Sequence, residues 1–128
     1  MKIFIGIKYY KDKRNSALIE AIKDIVKSLN YEPYSFTEEG YIENEREMIQ
    51  KALRKIEECD ILILEASEPS FGVGIEAGYG FSKNKKIITI FNEAKPCSRT
   101  LKGISHYCLS YKNIPELKRK LQEVLNRI

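Results

Sequence analysis

The sequence predicts an α/β fold: a doubly wound, five-stranded parallel sheet of strand order 2-1-3-4-5, with helices on both faces. Three observations predict it. Short apolar runs alternate with segments of helical period from end to end. The runs at Lys2–Ile7, Asp60–Glu65 and Lys86–Phe91 are nearly continuously apolar, as strands covered on both faces are. Right-handed crossovers between such strands then set the order.

The first strand is Lys2–Ile7. A helix over Ser16–Leu29 follows, with Leu18, Ala21, Ile22, Ile25, Val26 and Leu29 on one face. A short second strand lies near Pro33–Phe36. The second helix, Glu45–Glu58, carries Met48, Ile49, Ala52, Leu53 and Ile56 as its stripe, and Asn44 with Glu47 suits a capping box at its start. Strand three is Asp60–Glu65, and the third helix spans Gly74–Lys83. Strand four is Lys86–Phe91 and strand five Tyr107–Tyr111. Between them, residues 92–105 are the longest stretch without clear structure, and long loops in compact domains are often functional. The closing helix is Pro115–Arg127, with Asn113 as N-cap and Pro115 in the first turn. No repeat, linker or low-complexity tract divides the chain, so residues 1–128 read as one domain.

Composition narrows the function classes. A chain of 128 residues can bury a core without disulfides or metal. Its 22 basic and 18 acidic residues are mixed along the helices, which describes a solvated surface and no basic face for a nucleic-acid polymer. The densest basic cluster, Lys8, Lys11, Lys13 and Arg14 with Tyr9 and Tyr10 between, is sized for one phosphate. No apolar run approaches the roughly 20 residues of a membrane span. The N-terminus goes straight into a strand, so no signal peptide is expected. Cys59, Cys97 and Cys108 form no disulfide framework and fit a reducing cytoplasm. Cys59 and Cys108 border apolar runs and read as small core residues. His106 is the sole histidine, with no Cys-x-x-Cys beside it, so neither a zinc site nor a Ser-His-Asp triad has a motif.

The chemistry concentrates between Glu65 and Gly78: Glu-Ala-Ser-Glu-Pro-Ser-Phe-Gly-Val-Gly-Ile-Glu-Ala-Gly. A buried strand empties into a Pro/Ser/Gly turn at the carboxyl edge of the sheet, where such folds place their sites. Glu76 falls in the first turn of the expected helix, where the helix dipole keeps a carboxylate ionised and fit to be a nucleophile. It equally suits capping its own helix. Ser67 and Ser70 suit a phosphate or ribose hydroxyl, or else plain capping and turn chemistry. Gly72 and Gly74 allow positive φ or close ligand approach, and Gly78 tight packing of the helix on the sheet. Glu65 ends its strand on the correct edge to orient a ligand hydroxyl, or stands solvated there. Tyr9, Tyr10 and Phe71 suit stacking on a base as well as packing. Asp60, at the opposite edge, reads as structural. The glycines follow the third strand with the wrong spacing for a dinucleotide fingerprint, and no Gly-Lys-Ser/Thr makes a phosphate loop, so no cofactor is expected.

The string from Asp60 to Gly78 resembles the nucleoside 2-deoxyribosyltransferase superfamily, most of all its 2'-deoxynucleoside 5'-monophosphate N-glycosidases. The order of elements agrees along essentially the whole chain; residues 60–78 are the specific part. The resemblance implies that Glu76 attacks the anomeric carbon of the sugar and Ser70 binds the 5'-phosphate. It implies homo-oligomers in which a serine in a Ser-x-x-x-x-Gly pattern reaches the neighbouring subunit's phosphate. Ser98-Arg-Thr-Leu-Lys-Gly103 is that pattern here. Two positions depart from the family. Its Gly-Ser-Ile-Arg-Gly-Gly-like first loop is Gly6-Ile-Lys-Tyr-Tyr-Lys11, leaving Gly6, Lys8, Tyr9 and Lys11 as candidate phosphate and sugar contacts. The carboxylate eight residues before the Asp60 position is Ala52.

The resemblance therefore implies a metal-free hydrolase that cleaves the N-glycosidic bond of a nucleoside 5'-monophosphate through a glycosyl-enzyme intermediate. A deoxyribosyltransferase is the alternative within the family. A nucleotide sensor of weak or no activity is the rival from another class, and Ala52 is its support. A flavodoxin-like signalling receiver would need an acidic cluster after the first strand, where this loop is basic.

Overall fold

The computed structural model describes residues 1–36 and 41–128. The strands are β1 (Lys2–Gly6), β2 (Glu32–Ser35), β3 (Ile61–Glu65), β4 (Lys86–Asn92) and β5 (Tyr107–Tyr111). The helices are α1 (Ser16–Ser28), α2 (Glu45–Glu58), α3 (Phe71–Ser82), α4 (Arg99–Ile104) and α5 (Ile114–Leu125). All strand pairs are parallel, in the order β2-β1-β3-β4-β5. The doubly wound sheet expected from the apolar runs is therefore present.

Alternation along the strands builds two cores. Ile3, Ile5, Ile61, Ile63, Ile88 and Ile90 face α1 and α5, meeting Ile22, Val26, Leu117 and Leu121. Phe4, Leu62, Leu64 and Ile87 face α2 and α3, meeting Ile56, Val73 and Ala77. At the amino edge, Asp60 accepts a hydrogen bond from the Lys2 N–H at 3.0 Å, the structural role expected of it. Asn44 caps α2 through the Glu47 N–H, and Asn113 caps α5 through the Glu116 N–H.

Three expectations are corrected. Helix α3 begins at Phe71, three residues before Gly74, because the Ser70 hydroxyl accepts the Val73 N–H and fixes the first turn. Residues 99–104 form α4, capped by Ser98 through the Leu101 N–H, inside what reads as loop. Cys59 is buried, but Cys108 is exposed on the edge strand β5. His106 is a structural bridge: its N–H donates to the Ile87 carbonyl at 2.9 Å and its Nδ1 accepts the Ile87 N–H at 3.1 Å.

Tight contact between α3 and the sheet comes from Gly80, not Gly78. A Cβ on Gly80 would stand 2.5 Å from Leu62 Cδ2, whereas one on Gly78 meets nothing within 4 Å. Leu62 is fully buried, so its side chain would have to shift within the core. Gly80→Ala is therefore expected to destabilise the chain by ~1–3 kcal/mol through overpacking. Gly78→Ala should stabilise it by roughly 0.5–1 kcal/mol, because alanine is the better helix former where space is open. Urea midpoints of the two variants, read against the parent, check the pair.

Candidate functional site

Three loops meet at the carboxyl edge of the sheet, after β1, β3 and β4. The register that sets Gly6 opposite Leu64 brings the first two side by side. Between them and α2 lies a cleft of about 420 Å³. Its walls are Gly6, Lys8 and Tyr9 from the first loop, Ser70, Phe71, Gly72 and Glu76 from the start of α3, and Phe36, Met48, Ile49 and Ala52 from the far side.

Glu76 is held against β1. A Cβ on Gly6 would stand 2.8 Å from Glu76 Oε1 and 2.7 Å from Leu64 Cδ2. Glycine at position 6 is thus what admits the carboxylate. Glu76 is the sixth residue of α3, in its second turn, and is only 9% exposed. The expectation that a first-turn position keeps it ionised is overturned. Burial raises its pKa from 4.5 to about 8, because a charged carboxylate loses water there and gains little from the helix end. Among the described residues, no hydrogen bond or ion pair holds the Glu76 carboxylate. It is the one carboxylate among the described residues lining the cleft.

Ser70 stands at the mouth of the same cleft. Its Oγ accepts the Val73 N–H at 3.2 Å, so its own proton is left to donate outward. The first amides of α3, with no carbonyl four residues back, point the same way. Capping and anion binding are compatible here. Gly72 and Gly74 lie inside the helix without positive φ, and a Cβ on either meets nothing closer than 3.8 Å in its own chain. Of the two readings of Gly72 and Gly74, positive φ is corrected, while the space for close approach of a ligand is present.

Glu65 faces inward, and Ser67, at the edge of a groove between α3 and α4, bonds to it. Glu65 Oε1 accepts the Ser67 N–H at 2.7 Å, and its Oε2 accepts from the Ser67 hydroxyl and the Tyr111 hydroxyl. Ser67 Oγ in turn accepts the Asn92 N–H at 2.8 Å. With both oxygens engaged and only 4% exposure, Glu65 does not stand solvated at the strand end. The network clamps the β3–α3 loop to β4. Burial, then the Glu65 bond, pushes the Tyr111 hydroxyl well above the ordinary tyrosine range.

The basic cluster is dispersed. Arg14 pairs with Asp12 at 2.8 Å and stacks on Tyr10 at 4.3 Å. Lys11 lies over Tyr41, and Lys13 bounds a small recess at the start of α1. Lys8 and Tyr9 are the cluster's members in the cleft. Asn15 holds that loop by donating from Nδ2 to the Lys8 carbonyl at 2.8 Å.

Ser98 lies elsewhere. It borders a larger groove of about 880 Å³ between α3 and α4, together with Ser67, Ser70, Gly74, Gly78, Leu101 and Ile104. Phe71 and Phe81 flank this groove at 95% and 53% exposure. Ser70 and Phe71 belong to both depressions, so the groove and the Glu76 cleft share a rim. Sequence reading left Phe36, Met48 and Ile49 out of the site. Met48 and Ile49 sit on the apolar stripe of α2, and a helical period does not separate residues that fill a core from residues that line a cleft.

No protein-family model matches the chain. A protein of Thermofilum pendens named "Putative 2'-deoxynucleoside 5'-phosphate N-hydrolase 1" is 31% identical over 85 residues, covering 62% of this chain and 59% of that one. The chain thus matches less than two thirds of that relative's length. The solved CMP N-glycosidase of Clostridium botulinum superposes with a TM-score of 0.75 at 22% identity, covering 95% of this chain and 98% of that one. The 2-deoxyribosyltransferase of Bacillus psychrosaccharolyticus gives 0.73 at 12% identity, over 92% and 90%. In sequence and in fold, the chain resembles the nucleoside 2-deoxyribosyltransferase superfamily.

The raised pKa of Glu76 sets a pH dependence of stability. Between its unfolded value of 4.5 and its folded value of about 8, the folded chain holds the proton that the unfolded chain releases. This stabilisation is full below the unfolded pKa and is lost as pH rises through the folded one. Glu76→Gln keeps the shape and cannot ionise. Its stability relative to the parent should increase with pH, with a ceiling of about 5 kcal/mol at roughly 1.36 kcal/mol per unit. Urea midpoints of both proteins on either side of the two pKa values measure it; a constant difference would contradict the burial effect.

Proposed function

We propose that the chain hydrolyses the N-glycosidic bond of a nucleoside 5'-monophosphate, with Glu76 as the nucleophile. The observation that carries this reading is the Glu76 carboxylate, buried against Gly6 without a partner among the described residues and opening on a cleft of small-molecule size. The name of the T. pendens relative and the folds of the N-glycosidase and transferase support it.

In the proposed reaction, a Glu76 oxygen attacks C1' of the sugar. The C1'–N bond breaks, and its electron pair leaves with the base, which takes up a proton. Water then attacks C1' of the glycosyl ester, releasing the sugar phosphate and freeing Glu76. Ser70 and the start of α3 take the phosphate, with Lys8 opposite. Phe36, Met48 and Ile49 form the apolar wall against which the base lies. Ala52 supplies no acid, so the leaving base draws its proton from water, Lys8 or Tyr9.

We also propose that the working form is a homo-oligomer. Ser98 borders the groove beside the Glu76 cleft and caps α4 with its proton free to donate, as Ser70 does in α3. Exposed Phe71 and Phe81 along that groove give a second copy something to cover. Residues 1–128 then act as one catalytic domain per subunit. A sensor reading has one specific observation behind it: a neutral Glu76 facing an Ala52 that offers no acid is a pocket that binds without cutting.

A panel of deoxyribo- and ribonucleoside monophosphates, assayed for free base, separates these. The parent should release base, and Glu76→Ala should lose at least about a thousandfold in kcat while still binding nucleotide. Because attack needs the anion, kcat/KM should climb with pH through about 8 as Glu76 ionises. Tight binding with no release of any base favours the sensor. Base release undiminished in Glu76→Ala removes Glu76 from the chemistry.

Mixing subunits tests the shared site. If Ser98 serves the partner's cleft, Glu76→Ala and Ser98→Ala chains mixed after reversible unfolding should regain activity, at roughly a quarter of parent sites for a random dimer. Mixtures no better than either variant alone would place Ser98 outside the site.

A further inference from the structure

We propose that Cys97 and Cys108 are a modification site: they form a reversible intramolecular disulfide under peroxide, tying the segment ahead of α4 to the edge strand β5. The inference rests on the sulfur geometry and stands whether or not the chain cleaves nucleotides. The two Sγ atoms lie 3.9 Å apart, in van der Waals contact. A disulfide of about 2.05 Å asks for a closure of about 2 Å, within reach of side-chain rotation and a small shift of the loop that carries Cys97. Cys108 is exposed and Cys97 half-buried, whereas the third thiol, Cys59, is buried where α2 meets β3.

The surrounding chain holds the two sulfurs in register. After α4 the backbone is fastened to β4 by His106, whose N–H and Nδ1 both bond Ile87, and by Ser105, whose Oγ meets Thr89 Oγ1 at 2.7 Å. Ahead of α4, Lys95 pairs with Glu68 at 3.2 Å. A strap pinned on both sides of a short helix returns residue 97 to residue 108. Burial first, then the neighbouring Cys108, pushes the Cys97 thiol up to about 11. Cys97 therefore waits as a thiol while the exposed Cys108 meets the oxidant.

The chemistry balances with a peroxide as oxidant. The Cys108 sulfur attacks the peroxide O–O bond, giving a sulfenic acid and one water once protons are shared. The Cys97 sulfur then attacks the Cys108 sulfur, the S–S bond forms, and the hydroxyl leaves as a second water. Two thiols are oxidised and one peroxide reduced, and a small thiol such as glutathione reverses the bond by exchange. The bond would act next to Ser98, which follows Cys97 directly and caps α4. Pinning residue 97 fixes that cap and the adjoining wall of the larger groove.

The test treats the full chain with hydrogen peroxide and then with glutathione. Intact mass should fall by two hydrogens and denatured thiols from three to one. Non-reducing peptide mapping should join the peptides carrying Cys97 and Cys108, and glutathione should restore the starting mass. Cys59→Ser should show the same two-hydrogen loss, its denatured thiols falling from two to none. Cys97→Ser and Cys108→Ser, at positions that are not buried, should fold and lose the two-hydrogen change. Three results would overturn the proposal: oxygen added without hydrogen loss, disulfides only between chains on non-reducing gels, or thiols unchanged after prolonged exposure.

Discussion

The missing side chain at Gly6 is the constraint on which the candidate site depends. Strand β1 ends there, opposite Leu64 of β3, and the parallel register brings the two loops of the cleft together. Any larger residue would push against Leu64 Cδ2 and Glu76 Oε1 at once. One atom of space thus decides whether a carboxylate from the second turn of α3 lies over the strand end or is forced off it. The rest of the site is set out around that contact, with Ser70 and the first amides of α3 on one side and the α2 stripe on the other.

The turn that feeds α3 is fixed by residues outside the Glu76 cleft. Glu65 is buried, and its oxygens collect three donors from Ser67 and Tyr111. Ser67 passes the restraint to β4 through the Asn92 N–H, and Lys95 meets Glu68 above it. A buried carboxylate satisfied in this way rigidifies its surroundings, whereas one left without donors invites something to bind. Glu65 and Glu76 are close in sequence and opposite in this respect. That difference in partners, more than motif position, separates scaffold from candidate chemistry here.

The sequence made much of this legible, and what it concealed has physical causes. Continuous apolar runs gave β1, β3 and β4 because both faces of each strand are covered. Helix α3 starts earlier than expected because Gly72 is a poor helix former, at roughly 1 kcal/mol, and breaks the local signal over the first turn. The Ser70 cap and the burial of Val73 and Ala77 on the sheet override that local preference. The shift of three residues carries Glu76 out of the first turn, and with it the electrostatic expectation reverses from ionised to neutral. Helix α4 is too short for a periodic signal, with Gly103 in its last turn. Cys108 read as core because it sits in an apolar strand, but edge strands leave part of their surface uncovered. The motif marks Glu76, Ser70 and Ser98 as candidates, whereas the bonds that tie Glu65 to Ser67 and Tyr111 leave no signal in it.

The neutrality of Glu76 bears on how a phosphate-bearing ligand would be accepted. An ionised carboxylate buried near the start of α3 would repel a phosphate held by Ser70, in a medium that screens charge poorly. A carboxyl that keeps its proton would remove that repulsion. The same burial would favour the proposed reaction once the proton leaves. A carboxylate stripped of water and without donors has little to give up when it bonds to carbon, so the desolvation that raises its pKa also raises its nucleophilicity. Phe36, Met48 and Ile49 hold the cleft apolar, and Ala52 adds no second charge to oppose ionisation. The departure at position 52 thus leaves one carboxyl in the described wall of the cleft, and burial alone raises its pKa to about 8.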